Sequence, residues 1–454
     1  MNKVAVIILA AGKGTRMYSK VAKVLHQVAN MPMLGHVLTQ VEQVDGVEQK
    51  IVVVGHQGED LLELLEGVAE VAWQREQLGT GHAVQQALGL LHENVDDVLV
   101  VCGDTPLLTA KTLNLLLKFH LAEKASATVL SALFDDSSGY GRIIRDENDN
   151  LMKIIEQKDA TDREKLIKEI NSGVYVFNAQ ELKAYLSEIK ANNAQNEYYL
   201  TDIISVLRRE SKLVKAFITK EADDIMGINN RIQLAEAEKL MRKRINNSWM
   251  EKGVTMVDPD SVYIDASVLL SQDVWIGQNT IVQGNTVVAE GVRLGPNTII
   301  KDSLLGADTF VEQSTVLNSK IGCKCSIGPY AYIRPDCLLA DNVKVGDFSE
   351  LKNTIVAEGS KIPHLSYIGD AEIGSKVNVG AGTITCNYDG KNKFKTVIGD
   401  GAFIGSNTNL VAPVVVARKA YIAAGSTIVE DVPEEALGIA RGKQRNIEGW
   451  ASKK

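Results

Sequence analysis

The segment that first suggests chemistry is a loop of small and basic residues near the start of the chain. Residues 9–17 read Leu-Ala-Ala-Gly-Lys-Gly-Thr-Arg-Met and follow the apolar run Val4–Leu9. Small residues let backbone N–H groups approach a phosphate, and Lys13, Arg16 and Lys23 add positive charge. The spacing fits neither a Walker A loop nor the complete dinucleotide fingerprint. The loop is a candidate phosphate site, with a plain tight turn as the alternative.

A second candidate is the acidic residue Asp104, which follows another apolar run, Val98–Cys102. A carboxylate at the carboxyl end of a strand could hold Mg²⁺ through oxygen. The alternative is that Asp104 caps a helix that begins near Pro106. Between the two candidates, residues 74–81 form a polar, glycine-rich loop that is suited to hydrogen-bonding a flat base.

In the second half of the chain, a candidate for acid–base chemistry is His364, because no other histidine follows residue 120. A lone histidine in a loop is more often a surface residue without a function. Here, cationic and polar side chains recur around it, which favours a functional role. They are Arg334, Lys352, Tyr367, Asn378, Asn387 and Tyr388.

The elements of the first half explain how its loops could meet. The predicted strands are Val4–Leu9, Ile51–Val54, Val68–Trp73 and Val98–Cys102, and the predicted helices are Lys23–Val41, Glu59–Leu65, Gly81–Leu91 and Lys111–Leu121. Such alternation over residues 1–228 is typical of a parallel sheet with helices on both faces. Ligands of such sheets bind beyond the carboxyl ends of the strands, where the loops after the first and fourth strands would meet.

The second half has an aliphatic residue at every sixth position. The positions are Ile276, Val282, Val288, Leu294 and Ile300; Ile321, Ile327, Ile333, Leu339 and Val345; and Ile398, Ile404, Leu410, Val416, Ile422 and Ile428. A period of six is neither that of a half-buried strand nor that of an amphipathic helix. It fits a chain that turns a corner every six residues, with three faces to a coil and coils ~4.8 Å apart. The pattern predicts a parallel β-helix over residues 251–454.

A linker between the two halves and two irregular segments of the β-helix lie outside the regular elements. Residues 229–250 have apolar residues on one helical face and predict a linker helix of ~30 Å. Within the β-helix, a regular coil offers no chemistry, so we expect reactive groups where the rhythm breaks, in Leu351–Tyr367 and Thr383–Lys395.

Bulk properties exclude several classes of function. The net charge of −8 lacks a long run of one sign, which disfavours nucleic-acid binding. The sequence shows neither a signal peptide nor an apolar run long enough to span a bilayer. The five cysteines lack the paired spacing of a zinc site, and we expect them to be reduced in a cytoplasmic protein.

The motifs of the first half resemble those of the sugar-nucleotide pyrophosphorylases. The resemblance rests on the 9–17 loop with its downstream lysine and implies an α/β Rossmann-like nucleotidyltransferase fold. It implies that the uracil and the nucleotide are held by Leu9, Ala10, Ala11, Gly12, Gln74, Gly79 and Thr80. It also implies that Asp104 and Asn229 hold Mg²⁺ and that Arg16 and Lys23 face the phosphates. The N-acetylglucosamine would be held by Gly141, Glu156 and Asn171.

The implied reaction is attack of a sugar 1-phosphate oxygen on the α-phosphate of UTP, with pyrophosphate leaving. Metal and cations carry the developing charge, and a covalent protein nucleophile is not needed. One departure is that Ala22 stands where the family usually has proline before its lysine, so we expect a less rigid loop.

The second half resembles the left-handed β-helix acetyltransferases. The resemblance rests on the hexads, on residues 365–370 and on residues 380–390. It implies that His364 is the general base that removes a proton as the glucosamine amine attacks the thioester of acetyl-CoA, a role worth about 10²–10⁴ in rate. It implies that Arg334 and Lys352 grip the sugar phosphate, that Tyr367 and Asn378 surround the sugar, and that Ala381, Asn387, Tyr388, Ser406, Ala424 and Arg441 line the acetyl-CoA site.

Members of this acetyltransferase family are homotrimers with sites between subunits, so the resemblance implies a homotrimer. One departure is Ile362-Pro363 before His364, where the family commonly has Ala-Gly. Because proline fixes its own φ and favours an extended residue before it, we expect a stiffer or displaced histidine loop.

Both halves together resemble the bacterial bifunctional N-acetylglucosamine-1-phosphate uridylyltransferase/glucosamine-1-phosphate N-acetyltransferases. The resemblance implies acetylation of glucosamine 1-phosphate and then uridylyl transfer to N-acetylglucosamine 1-phosphate, giving a cell-wall precursor. Alternatives are a nucleotidyltransferase whose β-helix only assembles or regulates, and a scaffold without catalysis. His364 with the 387–390 loop argues against the first, and the basic and metal-site residues of the first half argue against the second.

Overall fold

The computed structural model describes residues 2–453. Within them, the chain divides into two compact units, of which the first ends at Met241 and the second begins at Arg242. The strands of the first unit are β1 (Val4–Leu9), β2 (Gln27–Val28), β3 (Met31–Pro32), β4 (Val47–Val54), β5 (Glu70–Trp73), β6 (Asp97–Cys102), β7 (Ala127–Leu133), β8 (Gly141–Arg145), β9 (Leu151–Ile155), β10 (Glu169–Asn178) and β11 (Val214–Ile218).

The helices described here include one that runs past Met241. They are α1 (Met33–Val41), α2 (Leu62–Leu65), α3 (Thr80–Leu88), α4 (Ala110–Glu123), α5 (Ala179–Tyr185), α6 (Asp202–Arg209) and α7 (Arg231–Glu251). Single 3₁₀ turns span Thr15–Met17, Lys23–Leu25, Gly58–Leu61, Glu164–Leu166, Leu186–Glu188, Ala222–Ile225, Pro259–Ser261 and Ala451–Lys453. Among residues 2–453, we find no helix both long and apolar enough to cross a membrane.

The sheet of the first unit has the strand order β11-β7-β10-β6-β1-β4-β5, with β8 and β9 beside β10. Strands β6, β1, β4 and β5 run parallel, as expected. The prediction of a parallel sheet does not extend to β10, which is antiparallel to both β6 and β7. A parallel neighbour needs a long crossover connection, usually a helix. The chain between β7 and β10 forms the β8–β9 pair and one 3₁₀ turn instead.

Helices cover both faces of this sheet, as predicted. Along β1, Ala5 and Ile7 belong to one buried apolar cluster, with residues of α3, α5 and α6. Val4, Val6 and Ile8 belong to a second cluster, with residues of α1 and α4. Because successive side chains of a strand point to opposite faces, both faces of the sheet are packed. The loops at the strand ends are therefore anchored to a sheet that is packed on both faces.

In the first unit, one local prediction is wrong and one of the two interpretations of Asp104 is excluded. The predicted helix from Lys23 to Val41 begins only at Met33, because Ala29 and Asn30 adopt left-handed φ values of 46° and 61° and turn the chain between β2 and β3. Asp104 does not cap a helix, because α4 begins at Ala110 with the Thr109 hydroxyl accepting from the amide of Thr112. The N-cap of α4 is therefore Thr109 and not Asp104.

The second unit is a parallel β-helix of short strands. One sheet has 11 strands: Thr255–Met256, Trp275–Ile276, Arg293–Leu294, Phe310–Val311, Ser326–Ile327, Lys344–Asp347, Lys361–His364, Asn378–Val379, Phe403–Ile404, Tyr421–Ile422 and Leu437–Gly438. A second sheet has 17 strands: Tyr263–Ile264, Leu269–Leu270, Ile281–Gln283, Val287–Val288, Ile299–Lys301, Leu304–Leu305, Thr315–Leu317, Lys320–Ile321, Tyr332–Ile333, Leu338–Leu339, Glu350–Val356, Tyr367–Ile373, Ile384–Cys386, Thr396–Ile398, Asn409–Val411, Val414–Val416 and Thr427–Ile428.

The aliphatic rhythm forms the interior of this β-helix. Strands one coil apart pair in parallel, as Ile276 does with Leu294 and Val282 with Ile300. All of the predicted aliphatic positions belong to one continuous core, and none is more than 5% exposed. A fully buried aliphatic side chain stabilises a fold by roughly 1.5–3 kcal/mol, so repetition of this row holds the coils in register.

The six-residue rhythm is interrupted at both predicted places, but by different amounts. In Leu351–Tyr367 the change is small: the core residues Leu351 and Val356 are five positions apart, and Val345 pairs with Ile362, 17 positions later. One corner there is shorter by one residue, and the strand ladder continues. The segment Thr383–Lys395 does contain an insertion, since Val379 pairs with Ile404, 25 positions later. His364 therefore lies at the end of a regular strand.

Two candidate active sites

The first candidate site is a cavity of about 460 Å³ at the carboxyl ends of β1 and β6. Most of the nucleotide residues implied by the resemblance line it, and so does Asp104. The predicted residues in its wall are Leu9, Ala10, Ala11, Gly12, Lys23, Gln74, Gly79, Thr80 and Asp104. The fold therefore brings together segments that are about 95 positions apart in the chain.

Two glycines give the 9–17 loop its shape. Gly14 has a left-handed φ of 57°, and a Cβ on it would lie 2.7 Å from Cβ of Lys23. Gly14 thus lets the loop pack against the lysine. A Cβ on Gly12 would meet nothing within 4 Å, which leaves open space above the backbone where a ligand can approach. The loop is therefore open at Gly12 and closely packed at Gly14.

The charged end of this cavity is organised around Lys23. Its Nζ donates to Oδ1 of Asn229 over 2.9 Å and forms an ion pair with Oδ2 of Asp104. Nη2 of Arg16 also donates to Asn229 Oδ1, over 2.9 Å. The fold thus brings Arg16 and Asn229, which do not line the cavity wall, to the same cluster.

The same geometry tests the implied Mg²⁺ site. Oxygens of Asp104 and Asn229 converge on one cationic group, which is the arrangement that an oxygen-liganded cation requires. Mg²⁺ commonly takes one or two protein oxygens and completes its shell with water and phosphate. Among residues 2–453, His, Cys, Asp and Glu form no cluster of three that could hold a metal alone. The residues present fit a magnesium ion that is bound together with a nucleotide.

A smaller cavity of about 190 Å³ adjoins the first and shares Leu9, Thr80 and Cys102 with it. Gly141 pairs with Asn171 across β8 and β10 in its wall. A Cβ on Gly141 would lie 3.4 Å from Cβ of Asn171 and 3.5 Å from Oε1 of Glu156. The three residues implied for the sugar are therefore side by side.

Burial perturbs two acidic groups of this wall. It raises the pKa of Glu156, and the neighbouring carboxylates Asp159, Asp202 and Glu197 raise it further, against a lowering hydrogen bond from Thr201. Burial also raises the pKa of Cys102 to about 12. A thiol with such a pKa is not a nucleophile at neutral pH, which agrees with direct transfer between substrates.

The second candidate site is centred on His364 in the β-helix. Asp347 pairs with His364 across neighbouring coils, and its Oδ1 lies 2.6 Å from Nδ1 of the imidazole. The hydrogen bond from His364 lowers the pKa of Asp347. Since a carboxylate accepts, Nδ1 carries the proton, and Nε2 of the neutral ring is left as a base.

Cationic side chains interact with one another near Tyr367, three positions after this histidine. Arg334 Nη1 lies 2.8 Å from Glu350 Oε1, one coil along. The nearby Lys393 ammonium lowers the pKa of Lys352, and Arg334 lowers it further. Three cations on one surface are suited to a phosphate group, which neutralises their mutual repulsion.

The insertion of the long coil lies next to Tyr367. Asn387 donates its amide to Asp370, which also accepts from Asn353 over 2.6 Å. A Cβ on Gly369 would lie 2.6 Å from the Tyr367 hydroxyl and 2.8 Å from Nδ2 of Asn387. A Cβ at position 369 would therefore displace the ends of the Tyr367 and Asn387 side chains, which both lie against this glycine.

Four of the six residues implied for acetyl-CoA, Ala381, Ser406, Ala424 and Arg441, are linked by hydrogen bonds between successive coils. The carbonyl oxygen of Ala381 accepts from the amide of Asn407 over 2.7 Å, and that of Ser406 accepts from Gly425 over 2.8 Å. The carbonyl oxygen of Ala424 accepts from Arg441 Nη1 over 2.8 Å. A row of residues over successive coils is suited to a long, extended ligand.

Asn378 and Tyr388 complete the implied set. Asn378 pairs with Lys361 and Phe403, and so lies in the 11-stranded sheet with His364. Tyr388 is exposed on the insertion, where its hydroxyl donates to the carbonyl of Gly390 over 2.6 Å. The implied residues of the second half therefore extend over neighbouring coils and two sheets.

Comparison with known proteins covers the whole chain. Residues 6–144 match the MobA-like NTP transferase domain, residues 259–347 the GMPPB C-terminal domain, and residues 395–430 the bacterial transferase hexapeptide repeats. The protein named "Bifunctional protein GlmU" of Heliobacterium modesticaldum is 50% identical over 454 residues, covering 100% of this chain and 99% of the relative.

The chain belongs to the GlmU family.

Further GlmU relatives agree. That of a Geobacillus species is 50% identical over 453 residues, covering 100% of this chain and 98% of its own, and that of Clostridioides difficile is 48% identical over 448 residues, covering 99% and 97%. A solved UDP-glucose pyrophosphorylase complexed with UDP-glucose aligns with 54% of this chain and 100% of its own, at 17% identity and a TM-score of 0.43. The expected fold, a Rossmann-like nucleotidyltransferase domain followed by a left-handed parallel β-helix, is confirmed.

The two departures from the GlmU pattern have limited structural effect. Ala22 has a φ of −53°, within the range that proline would impose. The ladder through Ile362, Pro363 and His364 stays in register with the previous coil, because a strand already requires the extended backbone that proline favours.

Sequence reasoning missed three residues of the two candidate sites. Asp347 stands 17 positions before His364, one coil earlier, and that spacing was the available signal. Lys393 lies in the insertion, and only the fold places it near Lys352. His82 is the third residue of α3 and lies within hydrogen-bond distance of the Gln74 amide, and no sequence motif indicates that contact.

Proposed function

We propose that this GlmU-family chain makes UDP-N-acetylglucosamine by two reactions. Acetyl transfer from acetyl-CoA to glucosamine 1-phosphate is followed by uridylyl transfer from UTP to N-acetylglucosamine 1-phosphate, which releases pyrophosphate. The observation that carries the proposal is that one chain, matched to bifunctional relatives over its full length, has one candidate set of reactive groups in each of its two units.

The proposal assigns one activity to each half. Residues 1–228 form the uridylyltransferase domain, 229–250 the helical linker, and 251–454 the acetyltransferase domain. The supporting features are the cavity beside β1 and β6, helix α7, and the imidazole on the β-helix.

In uridylyl transfer, the small residues of the 9–17 loop receive the nucleotide phosphates. Arg16 and Lys23 bind the phosphate oxygens and offset the negative charge that develops there. Asp104 and Asn229 would hold Mg²⁺, which supplies charge neutralisation at the phosphates. Lys23 then leaves the side-chain oxygens of Asp104 and Asn229 and binds phosphate oxygens instead. Gly141 and Asn171 line the place of the sugar.

In acetyl transfer, the Nε2 of His364 removes a proton from the glucosamine amine as that amine attacks the thioester carbonyl. The Asp347 carboxylate keeps the proton of the ring on Nδ1 and stabilises the imidazolium that forms. Arg334, Lys352 and Lys393 hold the sugar phosphate. This arrangement needs neither a metal nor a covalent intermediate on the protein.

The acetyltransferase assembles as a homotrimer in this proposal. An outward row on consecutive coils supports it, because Leu269, Val287, Leu304, Leu338 and Ile355 are each between 39% and 58% exposed. The row is continuous apart from Lys320. A strip of exposed aliphatic side chains is typical of an interface, and closed rings of identical subunits bury such strips.

Localisation in the cytoplasm is part of the same proposal. All five cysteines lie in the described part of the chain and are unpaired, as is usual where thiols are kept reduced. The substrates of both reactions are also small phosphorylated metabolites.

The test is a pair of variants that are each assayed for both reactions. We expect His364→Ala to abolish thiol release from acetyl-CoA with glucosamine 1-phosphate while pyrophosphate release from UTP continues. We expect Asp104→Ala to do the opposite. Equal loss of both activities in either variant would contradict separate sites, and Mg²⁺-dependent UTP turnover by Asp104→Ala would remove Asp104 from the metal site.

A further inference from the structure

The side-chain amide of Gln74 occupies a defined position in the first cavity. Gln74 follows β5, is 3% exposed and belongs to the cavity wall. Its Nε2 lies 2.9 Å from the carbonyl oxygen of Gly79 and 3.1 Å from Nδ1 of His82. Its backbone carbonyl accepts from the Gln77 amide over 3.0 Å. Both the main chain and the amide nitrogen of Gln74 are therefore held.

These partners determine which way the amide points. A backbone carbonyl can only accept, so the nitrogen of Gln74, not its oxygen, faces Gly79. The second N–H of the same nitrogen is then directed at Nδ1 of His82, which must accept. The neutral imidazole consequently carries its proton on Nε2.

A neighbour on the same helix is compatible with that tautomer. The Gln86 amide lies one turn further along α3, with its nitrogen placed 3.1 Å from Nε2 of His82. Turning this amide over brings its oxygen to the imidazole N–H and gives up the longer contact, 3.4 Å, from its nitrogen to the backbone carbonyl of His82. The Gln86 amide can therefore turn to accept from Nε2 of His82, whereas the carbonyl of Gly79 can only accept.

The oxygen of the Gln74 amide is left for a ligand. Oε1 makes no hydrogen bond with any residue from 2 to 453, whereas Nε2 has two acceptors. At its N3 edge, uracil has an N–H donor where cytosine has a lone pair. A carbonyl oxygen fixed opposite that edge accepts from uracil and repels cytosine.

We propose that His82 is a positioning residue that fixes the Gln74 amide with its oxygen toward the base, and so sets the preference for uracil over cytosine. This inference rests on the proposed uridylyl transfer. His82 itself need not touch the nucleotide. It acts through Gln74, as one of two acceptors that oppose turning of the amide.

Two substitutions of equal shape separate this role from simple packing. In His82→Asn, the side-chain oxygen can take the place of Nδ1 as an acceptor. In His82→Leu, the side chain has nearly the same size and branching but cannot accept. The measurement is pyrophosphate release with N-acetylglucosamine 1-phosphate and either UTP or CTP, analysed as kcat and KM.

We expect His82→Leu to raise the KM for UTP about 2- to 13-fold, the equivalent of one net hydrogen bond. The ratio of kcat/KM for UTP to that for CTP falls by a similar factor. We expect kcat to change little, because the base is remote from the α-phosphate and its contact is kept in the transition state. His82→Asn restores the ratio to near that of the parent.

The outcomes distinguish the inference from the function on which it rests. If the parent chain does not turn over UTP, the proposed function fails. If the parent does so and His82→Leu keeps the same UTP-to-CTP ratio, the inference is overturned. It is also overturned if both variants lose kcat equally with an unchanged ratio, since His82 would then only pack α3. Acetyl transfer and thermal unfolding serve as folding controls.

Discussion

The two glycines of the phosphate loop make a matched pair for testing how that loop works. At Gly14, a methyl group would lie 2.7 Å from Cβ of Lys23, in a backbone conformation with φ of 57°. At Gly12, a methyl group would have nothing within 4 Å. The same chemical change therefore has opposite structural costs at two positions of one turn.

We expect Gly14→Ala to destabilise the first unit by about 1–2 kcal/mol, the cost of a left-handed conformation for a residue with Cβ. For a unit of this size, that corresponds to a melting temperature lower by about 2–8 °C. Ordinary contact between two carbons begins near 3.4 Å, so Lys23 must move by several tenths of an ångström. Misplacement on the scale of 1 Å can cost about 10²-fold in rate, and we expect kcat for uridylyl transfer to fall by about 10- to 100-fold.

Gly12→Ala should leave the melting temperature unchanged, because its methyl group meets no protein atom. The methyl group takes room from the nucleotide, so we expect a higher KM for UTP. The assays are thermal unfolding, pyrophosphate release and, as a control in both variants, acetyl transfer. The reasoning is refuted if Gly14→Ala keeps the parent's melting temperature and kcat, or if Gly12→Ala is the less stable variant.

Three further predictions concern single contacts. Asp347→Asn should slow acetyl transfer, by no more than the ~10²–10⁴ that a positioned base supplies, with little change in the KM for acetyl-CoA; loss of uridylyl transfer would contradict a local role. Glu156→Gln should raise the stability of the first unit at neutral pH and weaken N-acetylglucosamine 1-phosphate binding. The pKa of Glu156 is higher in the folded than in the unfolded protein, so ionisation of this carboxyl opposes folding, and it does so only at pH values above the pKa of the unfolded state. Below that pH, the denaturation curves of the variant and the parent should therefore converge. Ala22→Pro should keep uridylyl transfer and stabilise by about 0.4–1 kcal/mol, since the φ of −53° suits proline; a loss of activity would show that the ring displaces Lys23.

The sequence predicted best what depends on repetition. Every aliphatic hexad position is interior, because a side chain repeated at each coil has nowhere else to pack. Strand β1 coincides with the predicted run Val4–Leu9, since a buried parallel strand is apolar throughout. The direction of β10 was not predictable from its own residues, because direction depends on the connection before it.

Site prediction failed where partners are distant in sequence. Lys23, Asp104 and Asn229 were singled out from their motifs, and the structure adds that they meet at one point. Asp347 was missed because its one signal, the spacing of one coil to His364, has a meaning only once the pairing of the coils is known. The contact from His82 to Gln74 was missed for a related reason, since it depends on the angle at which α3 leaves its loop.

The Asp347–His364 pair has a consequence for how this enzyme tolerates change. Its two side chains are one coil apart, so their separation is set by the ~4.8 Å repeat of a hydrogen-bonded ladder and not by a flexible connection. Lengthening a corner, as in the coil between Val379 and Ile404, adds surface without altering that interval. New loops can therefore be inserted at the corners of such a scaffold while the separation of Asp347 and His364 stays the same.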